Sequence, residues 1–325
     1  MSKNIDRRSF LKGSIAASAG VTLGLSREEE LLLAQAPTER AERGAARASK
    51  SLPTGKIGDL EVSRIICGGN LIGGYAHARD LLYVSRLLKS YFTEEKILET
   101  LQIAEENGVN TVMTEGKDGF DIINKYWRER GGKIQWITQD RPTSDDLKTV
   151  IQFSIDNGAS AVHLQGQVSD LWVKRGRVDL IGKVVQFIQE NGLPAGVACH
   201  SLNVPIECEK AGVNPDYYMK TLHSGDYWSA RREDQTRDVL ENRADNYWCT
   251  EPERTIEFMR TLDKPWIAYK VLAAGAILPG KGFRYAFENG ADFITVGMFD
   301  FQIAEDVEIA KTILANTRRE RPWRA

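Results

Sequence analysis

The stretch 265-PWIAYKVLAAGA-276 decides how the chain is read. A proline opens it, a run of apolar, β-branched and aromatic residues follows, and a glycine-containing turn closes it. That is the pattern of a strand buried on both faces. Lys270 stands in its middle, where an uncompensated buried charge costs several kcal/mol. Two readings are open: a strand-end lysine whose ammonium reaches water along its own stem, or a lysine facing a polar pocket. The rest of the chain has to choose between them.

Outward from this strand, one device recurs. A helical stretch ends in Gly and a β-branched or aromatic run starts at once: ENG at 106–108 before VNTVMT, DNG at 156–158 before ASAVHLQ, ENG at 190–192 before LPAGVACH, AG at 211–212 before VNPDYYMKTL, and ENG at 288–290 before ADFITVGM. Glycine closes a helix in the left-handed conformation without a Cβ penalty, and a short loop then feeds the next strand. Eight strands are predicted on this basis: Ser63–Cys67, Asn110–Thr114, Ile134–Gln139, Ser160–Gln165, Ala195–His200, Tyr217–Leu222, Trp266–Val271 and Asp292–Val296. Helical patterns lie between them. Thr93 is an N-cap with Glu94 and Glu95 in the first turn, and Ser144-Asp145-Asp146 is expected to open the next helix. Strands alternating with helices mean a parallel sheet, and eight of each mean a (β/α)8 TIM barrel of the α/β class. An open doubly wound sheet would need a Gly-rich phosphate turn after its first strand, and Cys67-Gly68-Gly69-Asn70 lacks that spacing.

The chain has 325 residues, 42% hydrophobic and 27% charged, with a formal net charge of -2. This composition is that of an ordinary globular protein and gives no reason to expect a nucleic-acid partner. The start is read separately. Asp6-Arg7-Arg8-Ser9-Phe10-Leu11-Lys12 looks like a twin-arginine export signal, and the weakly apolar run 15–25 after it is too short and too small-residue-rich for a stable membrane span. Residues 1–36 are therefore assigned to the signal, 37–51 to a charged, Ala-rich linker, and 52–325 to one barrel domain. The expected partners are the twin-arginine export machinery and a small-molecule substrate, with a periplasmic or secreted destination and no stable span after export. Twin-arginine cargo crosses already folded, so the four cysteines, Cys67, Cys199, Cys208 and Cys249, are expected as thiols; a Cys199–Cys208 bridge cannot be argued from spacing.

Several stretches resemble the aldo-keto reductases. They are GKIGDLEVSR at 55–64 with Cys67-Gly68-Gly69, the passage from Phe92 to Thr114 through AEENGVNTVMT, AYKVLAAG at 268–275, and FITVGM at 293–298. The resemblance spans nearly all of 52–325 as scattered short matches and implies the same barrel. It does not carry the chemistry across. The family protonates a carbonyl with Asp, Tyr, Lys and His while NADPH delivers hydride. At the corresponding strand ends this chain has Met113 before Thr114, no Tyr between Glu115 and Phe120, Gln139, and Gln165. After the last strand, where the family holds the adenosine phosphate with basic residues, this chain is acidic (Asp300, Glu305, Asp306). NADP is accordingly not expected by the family's route.

What stands at the strand ends instead defines the candidate site. Side chains alternate along a strand, so Glu115, Gln139, His163 and Gln165 share the inward face with the vacated positions. His200, Lys220 and Lys270 lie on the later strands, and Asn70 and His77 follow the first. Each histidine alone has a bland reading as a hydrogen-bonded structural residue, yet His163, His200 and His223 fall at consecutive strand ends. Glu115, His163 and His200 could form a set of two imidazoles and one carboxylate for a divalent metal. Without a metal, His200 and Glu115 could act as acid and base, with Lys270 stabilising an oxyanion. A Schiff base on Lys270 or Lys220 is the third route and needs a depressed amine pKa. Two long connections, 71–92 and 224–252, would sit on the same rim. The second carries Tyr227, Trp228, Tyr247 and Trp248, either a small satellite core or stacking platforms for a sugar, with Tyr227, Trp228 and Trp248 the three expected in binding. The leading expectation is an exported barrel enzyme acting on a sugar or small hydroxy-carbonyl compound by proton transfer, elimination or hydrolysis, with Glu115, His200 and Lys270 in catalysis. A reductase with substitute catalytic groups and a non-catalytic binding barrel are the alternatives.

Overall fold

In the computed structural model, residues 51–79, 81–235 and 246–325 are described. The predicted export signal and all of the linker except Ser51 lie outside them. Eight parallel strands close into a barrel: β3 (Ile65–Gly68), β4 (Thr111–Glu115), β5 (Gln135–Asp140), β6 (Ala161–Leu164), β7 (Ala195–Cys199), β8 (Tyr217–Thr221), β9 (Trp266–Tyr269) and β10 (Phe293–Val296). Each pairs with the next, and β10 returns to β3 through Thr295 opposite Ile66 and Val296 opposite Cys67. All eight predicted strands are present. The seventh is shorter than expected, because the chain leaves the sheet at Lys270 in a left-handed conformation, φ 57°.

The helix-ending device works as the sequence implied. Gly108, Gly158, Gly192, Gly212 and Gly290 all have positive φ, between 71° and 106°. The asparagines before four of them add a second stop. Asn107, Asn157, Asn191 and Asn289 each donate a side-chain hydrogen bond to the carbonyl four residues back, at 2.7–2.8 Å. The side chain thus takes up a carbonyl that the ending helix leaves unpaired. Thr93 caps the helix Glu94–Glu106 by accepting from the Lys96 amide at 3.3 Å. In the predicted start Ser144-Asp145-Asp146 the last residue does the capping: Asp146 gathers the Lys148 and Thr149 amides, and the helix runs Thr149–Asp156.

A hairpin not expected from the sequence precedes the barrel, β1 (Thr54–Ile57) against β2 (Leu60–Ser63). Gly58, at φ 58°, makes its turn. Ile57 and Val62 pack with Ile66, Met113, Ile137, Tyr217, Met219 and Phe293 inside the barrel. The larger apolar layer lies between the strands and the surrounding helices and includes Ile65, Val112, Trp136, Val162, Val197, Tyr218 and Trp266. All four cysteines are buried free thiols.

The final residues are pinned by one carboxylate. Asp292 is fully buried; its oxygens accept from Arg321 at 2.6 Å, Arg319 at 3.2 Å, and the Trp266 and Arg324 amides at 3.0 and 2.9 Å. Arg64 donates to the Asp292 carbonyl at 3.0 Å.

Candidate active site

The strands' C-terminal ends bring together a cluster centred on Trp248. Lys270, directly after β9, sets its Nζ 4.2 Å from the Trp248 ring centre and 2.8 Å from His77 Nε2. His77 comes from the loop after β3 and meets the Trp248 ring edge-on at 4.9 Å. His200, directly after β7, lies 4.6 Å from Trp248 and 5.4 Å from Tyr269, ring centre to ring centre. A single indole therefore touches both the amine and the imidazole.

Lys270 has no carboxylate within ion-pair reach among the described residues. Desolvation pushes its amine down to about 7, from an ordinary 10.5. The Trp248 face favours the charged form, but loss of water dominates. The left-handed backbone at Lys270, Ala273 and Ala274 gathers three of the four non-glycine positive-φ residues of the described chain into this turn. Such backbone costs of order 1–3 kcal/mol per residue and concentrates at functional sites.

His200 is held from one side. Its Nδ1 is 2.7 Å from Asp170 Oδ2, and Asp170 also accepts from the His200 and Ser201 amides at 2.9–3.1 Å. Asp170 is an acceptor as a carboxylate, so Nδ1 carries the proton and Nε2 is left basic. Nε2 has no hydrogen-bond partner among the described residues. Burial lowers the His200 pKa, against an upward pull from Asp170. Asp170 sits on the helix Gly166–Lys174, one turn after the strand β6, and no sequence motif marks it. The Tyr269 hydroxyl is buried with no partner among the described residues. It faces Gly166, where a Cβ would lie 2.9 Å from it and 3.1 Å from His200 Cε1.

Other expected site residues fall elsewhere. Glu115 is bound to Arg141, and its pKa is raised mainly by desolvation. It stands on β4, three strands from His200. His163 lies within the barrel, its Nδ1 3.3 Å from the Tyr217 hydroxyl, and desolvation holds its pKa down to about 3. Among the described residues no three His, Cys, Asp or Glu side chains stand together as a metal-binding group, so Glu115, His163 and His200 do not form the expected set. Lys220 is buried on the outer face of β8, its neighbours Tyr217 and Met219 taking the inner one, and its ammonium donates to Thr221 O and Oγ1 at 3.1 and 2.8 Å. Trp228 is 88% exposed, and the Tyr227 hydroxyl donates to the Asn246 carbonyl, so of the three loop aromatics expected in binding only Trp248 joins the cluster. Gln165 spends its amide oxygen capping the helix that follows it, on the Gln167 and Val168 amides. Asn70 and Gln139 remain at strand ends with no side-chain hydrogen bond among the described residues.

His223 is a latch on Trp248. Its Nε2 accepts from both the Trp248 and Cys249 amides at 2.9 Å, and its Nδ1 meets the Ser224 carbonyl at 3.0 Å. Only the neutral ring can do both. Burial lowers its pKa to about 4, below the ordinary 6.5. A histidine held neutral contributes stability that is present above 6.5 and lost as pH falls through 6.5 toward 4. Asp140 and Asp306, raised by desolvation to about 6 and about 7, act in the opposite sense, so a variant comparison is required. His223→Gln keeps an acceptor without the titration. Between pH 7 and pH 5 it is expected to lose about 2 kcal/mol less stability than the wild type in urea unfolding. An equal loss in both proteins would contradict this role.

The region after β10, where an aldo-keto reductase holds its cofactor's phosphate, does not fit that anion. The Asp300 carboxylate lies there, bound by Lys96 at 3.0 Å and by the Tyr91 hydroxyl.

Comparison with known proteins agrees with the architecture. Residues 4–24 match the twin-arginine translocation pathway signal sequence family. No curated protein matches the chain in sequence. Among solved structures, a Pseudomonas aeruginosa protein provisionally named an aldo-keto reductase is 15% identical with a TM-score of 0.56, covering 85% of this chain and 99% of that one. A holo-form aldo-keto reductase from Bacillus halodurans is 12% identical with a TM-score of 0.53, covering 82% and 97%. No helix among the described residues is long and apolar enough to cross a membrane. The chain is thus a protein marked for twin-arginine export, to the periplasm or beyond, that folds as an eight-stranded barrel with the architecture of the aldo-keto reductases.

Proposed function

We propose that this exported barrel is an enzyme that acts on a sugar or small hydroxy-carbonyl compound by amine catalysis at Lys270, followed by proton transfer or elimination. One observation carries the reading: a desolvated rim amine, about half neutral near pH 7, with a histidine rather than a carboxylate beside it. A neutral amine attacks a carbonyl, whereas an ammonium cannot. Once the carbonyl carbon is held as an iminium, the adjacent C–H becomes acidic. His200 Nε2, with Asp170 fixing the tautomer, is the group placed to take that proton. The electron pair then either takes a proton back at the neighbouring carbon or expels a β-hydroxyl, which leaves as water with the proton that His200 had taken. Asn70, Gln139 and the Gln165 amide nitrogen offer neutral hydrogen bonds that suit hydroxyl groups.

The test is reductive trapping. Purified protein is incubated with glycolaldehyde, dihydroxyacetone or xylose and cyanoborohydride, and the peptide carrying Lys270 is weighed. The expected result is a stable adduct on Lys270 in preference to surface lysines. Labelling spread evenly over surface lysines would defeat the proposal. Quenching or enhancement of NADPH fluorescence at micromolar protein would instead favour a reductase.

A further inference from the structure

Three buried side-chain atoms within or at the rim of the barrel lack a hydrogen-bond partner among the described residues: His163 Nε2, Thr295 Oγ1 and the Tyr269 hydroxyl. Only the last belongs to the cluster around Trp248. Tyr269 is the residue before Lys270, its ring packs against His200, and its hydroxyl lies over Gly166, where the lack of a side chain leaves room. A buried hydroxyl normally finds a partner, and leaving one unpaired lowers stability. A chain built for stability alone would carry Phe at this position.

We infer that the Tyr269 hydroxyl is the hydrogen-bond donor that meets the reacting oxygen of a carbonyl compound held on Lys270. This rests on the amine chemistry proposed above and adds a second group to it. Burial raises the phenol's pKa far above its ordinary value, so it stays protonated and donates. The Lys270 lone pair forms the C–N bond while the carbonyl π pair moves onto oxygen. That oxygen takes the Tyr269 proton, and Tyr269 regains one from the nitrogen. The C–O bond then breaks, and the oxygen leaves as water carrying the two hydrogens that the amine gave up. The product is the imine, with no oxidant or reductant consumed.

The experiment is Tyr269→Phe, read in two ways. With glycolaldehyde and cyanoborohydride, the rate of adduct formation on Lys270 is expected to fall by about a hundredfold. The pH at which the rate levels off should stay unchanged, because the amine keeps its surroundings. The thermal midpoint is expected to hold or to rise by about 2 °C, since an unpaired hydroxyl has been removed. A wild-type labelling rate in the variant would overturn the inference while leaving Lys270 as the amine. A midpoint lowered by several degrees would also overturn it, because the hydroxyl would then be part of the fold's own bonding. Failure of the wild-type protein to label at Lys270 would remove the amine chemistry itself, and this role with it.

Discussion

Lys270→Met is expected to abolish adduct formation at that position and to lower any carbonyl-dependent turnover by at least ~100-fold, with the fold intact. Methionine keeps the length and the apolar stem and removes the amine. The pH dependence identifies the mechanism. With the amine at about 7, the wild-type rate should climb tenfold per pH unit below that value and level off above it. An ordinary lysine at 10.5 would go on climbing through pH 9. Stability supplies the control. A lysine whose folded pKa is lowered is protonated more readily in the unfolded chain, so between about 7 and 10.5 stability rises with pH. At neutral pH the native amine is therefore a cost, and Lys270→Met is expected to unfold at an equal or higher temperature. A variant that retained turnover, or that lost turnover only by unfolding, would show Lys270 to be structural.

Asp292→Ala is expected to lower stability by about 3–5 kcal/mol, the largest single effect outside the site. The substitution deletes a buried carboxylate that faces Arg321 and Arg319 and caps the Trp266 amide at the base of β9. Arg321 is 1% exposed and also donates to the Met259, Gly290, Leu262 and Lys264 carbonyls, so it cannot leave for water without dismantling several loops. Removing the anion leaves buried cations without a counter-charge. Urea unfolding followed by circular dichroism would measure the loss, and a change below about 1 kcal/mol would mean that the carbonyls alone hold the arginines. Since this network lies at the opposite end of the barrel strands from Lys270, adduct formation in whatever fraction remains folded should be unaffected.

Much of the architecture was legible because its signals are local. Each Asn-Gly or Ala-Gly stop sets a left-handed residue through contacts within five positions, and each following strand is a run of adjacent residues. The hairpin 54–63 was missed although GKIGDLEVS carries its turn and alternation, because those four-residue strands bury their apolar side against a barrel floor that exists only after closure. At the site the same division holds. Lys270 was visible as a charge inside an apolar run, and His200 as a histidine ending a strand. Glu115 shares the inward phase of Met113, as the alternation implied, but the strand pattern could not show that Arg141 would take its carboxylate. Lys220 was misplaced because a one-residue change of inward phase puts it outside.

The sequence by itself determined that this chain is exported and that it folds as a parallel barrel, since both rest on short motifs and on periodicity. Only the tertiary structure decided that Asp170 orients His200, that His223 holds Trp248 in place, and that the Tyr269 hydroxyl beside them has no partner among the described residues. Those facts depend on distances between strands remote in the chain and on the water that closure removes, and neither quantity is written in residue order.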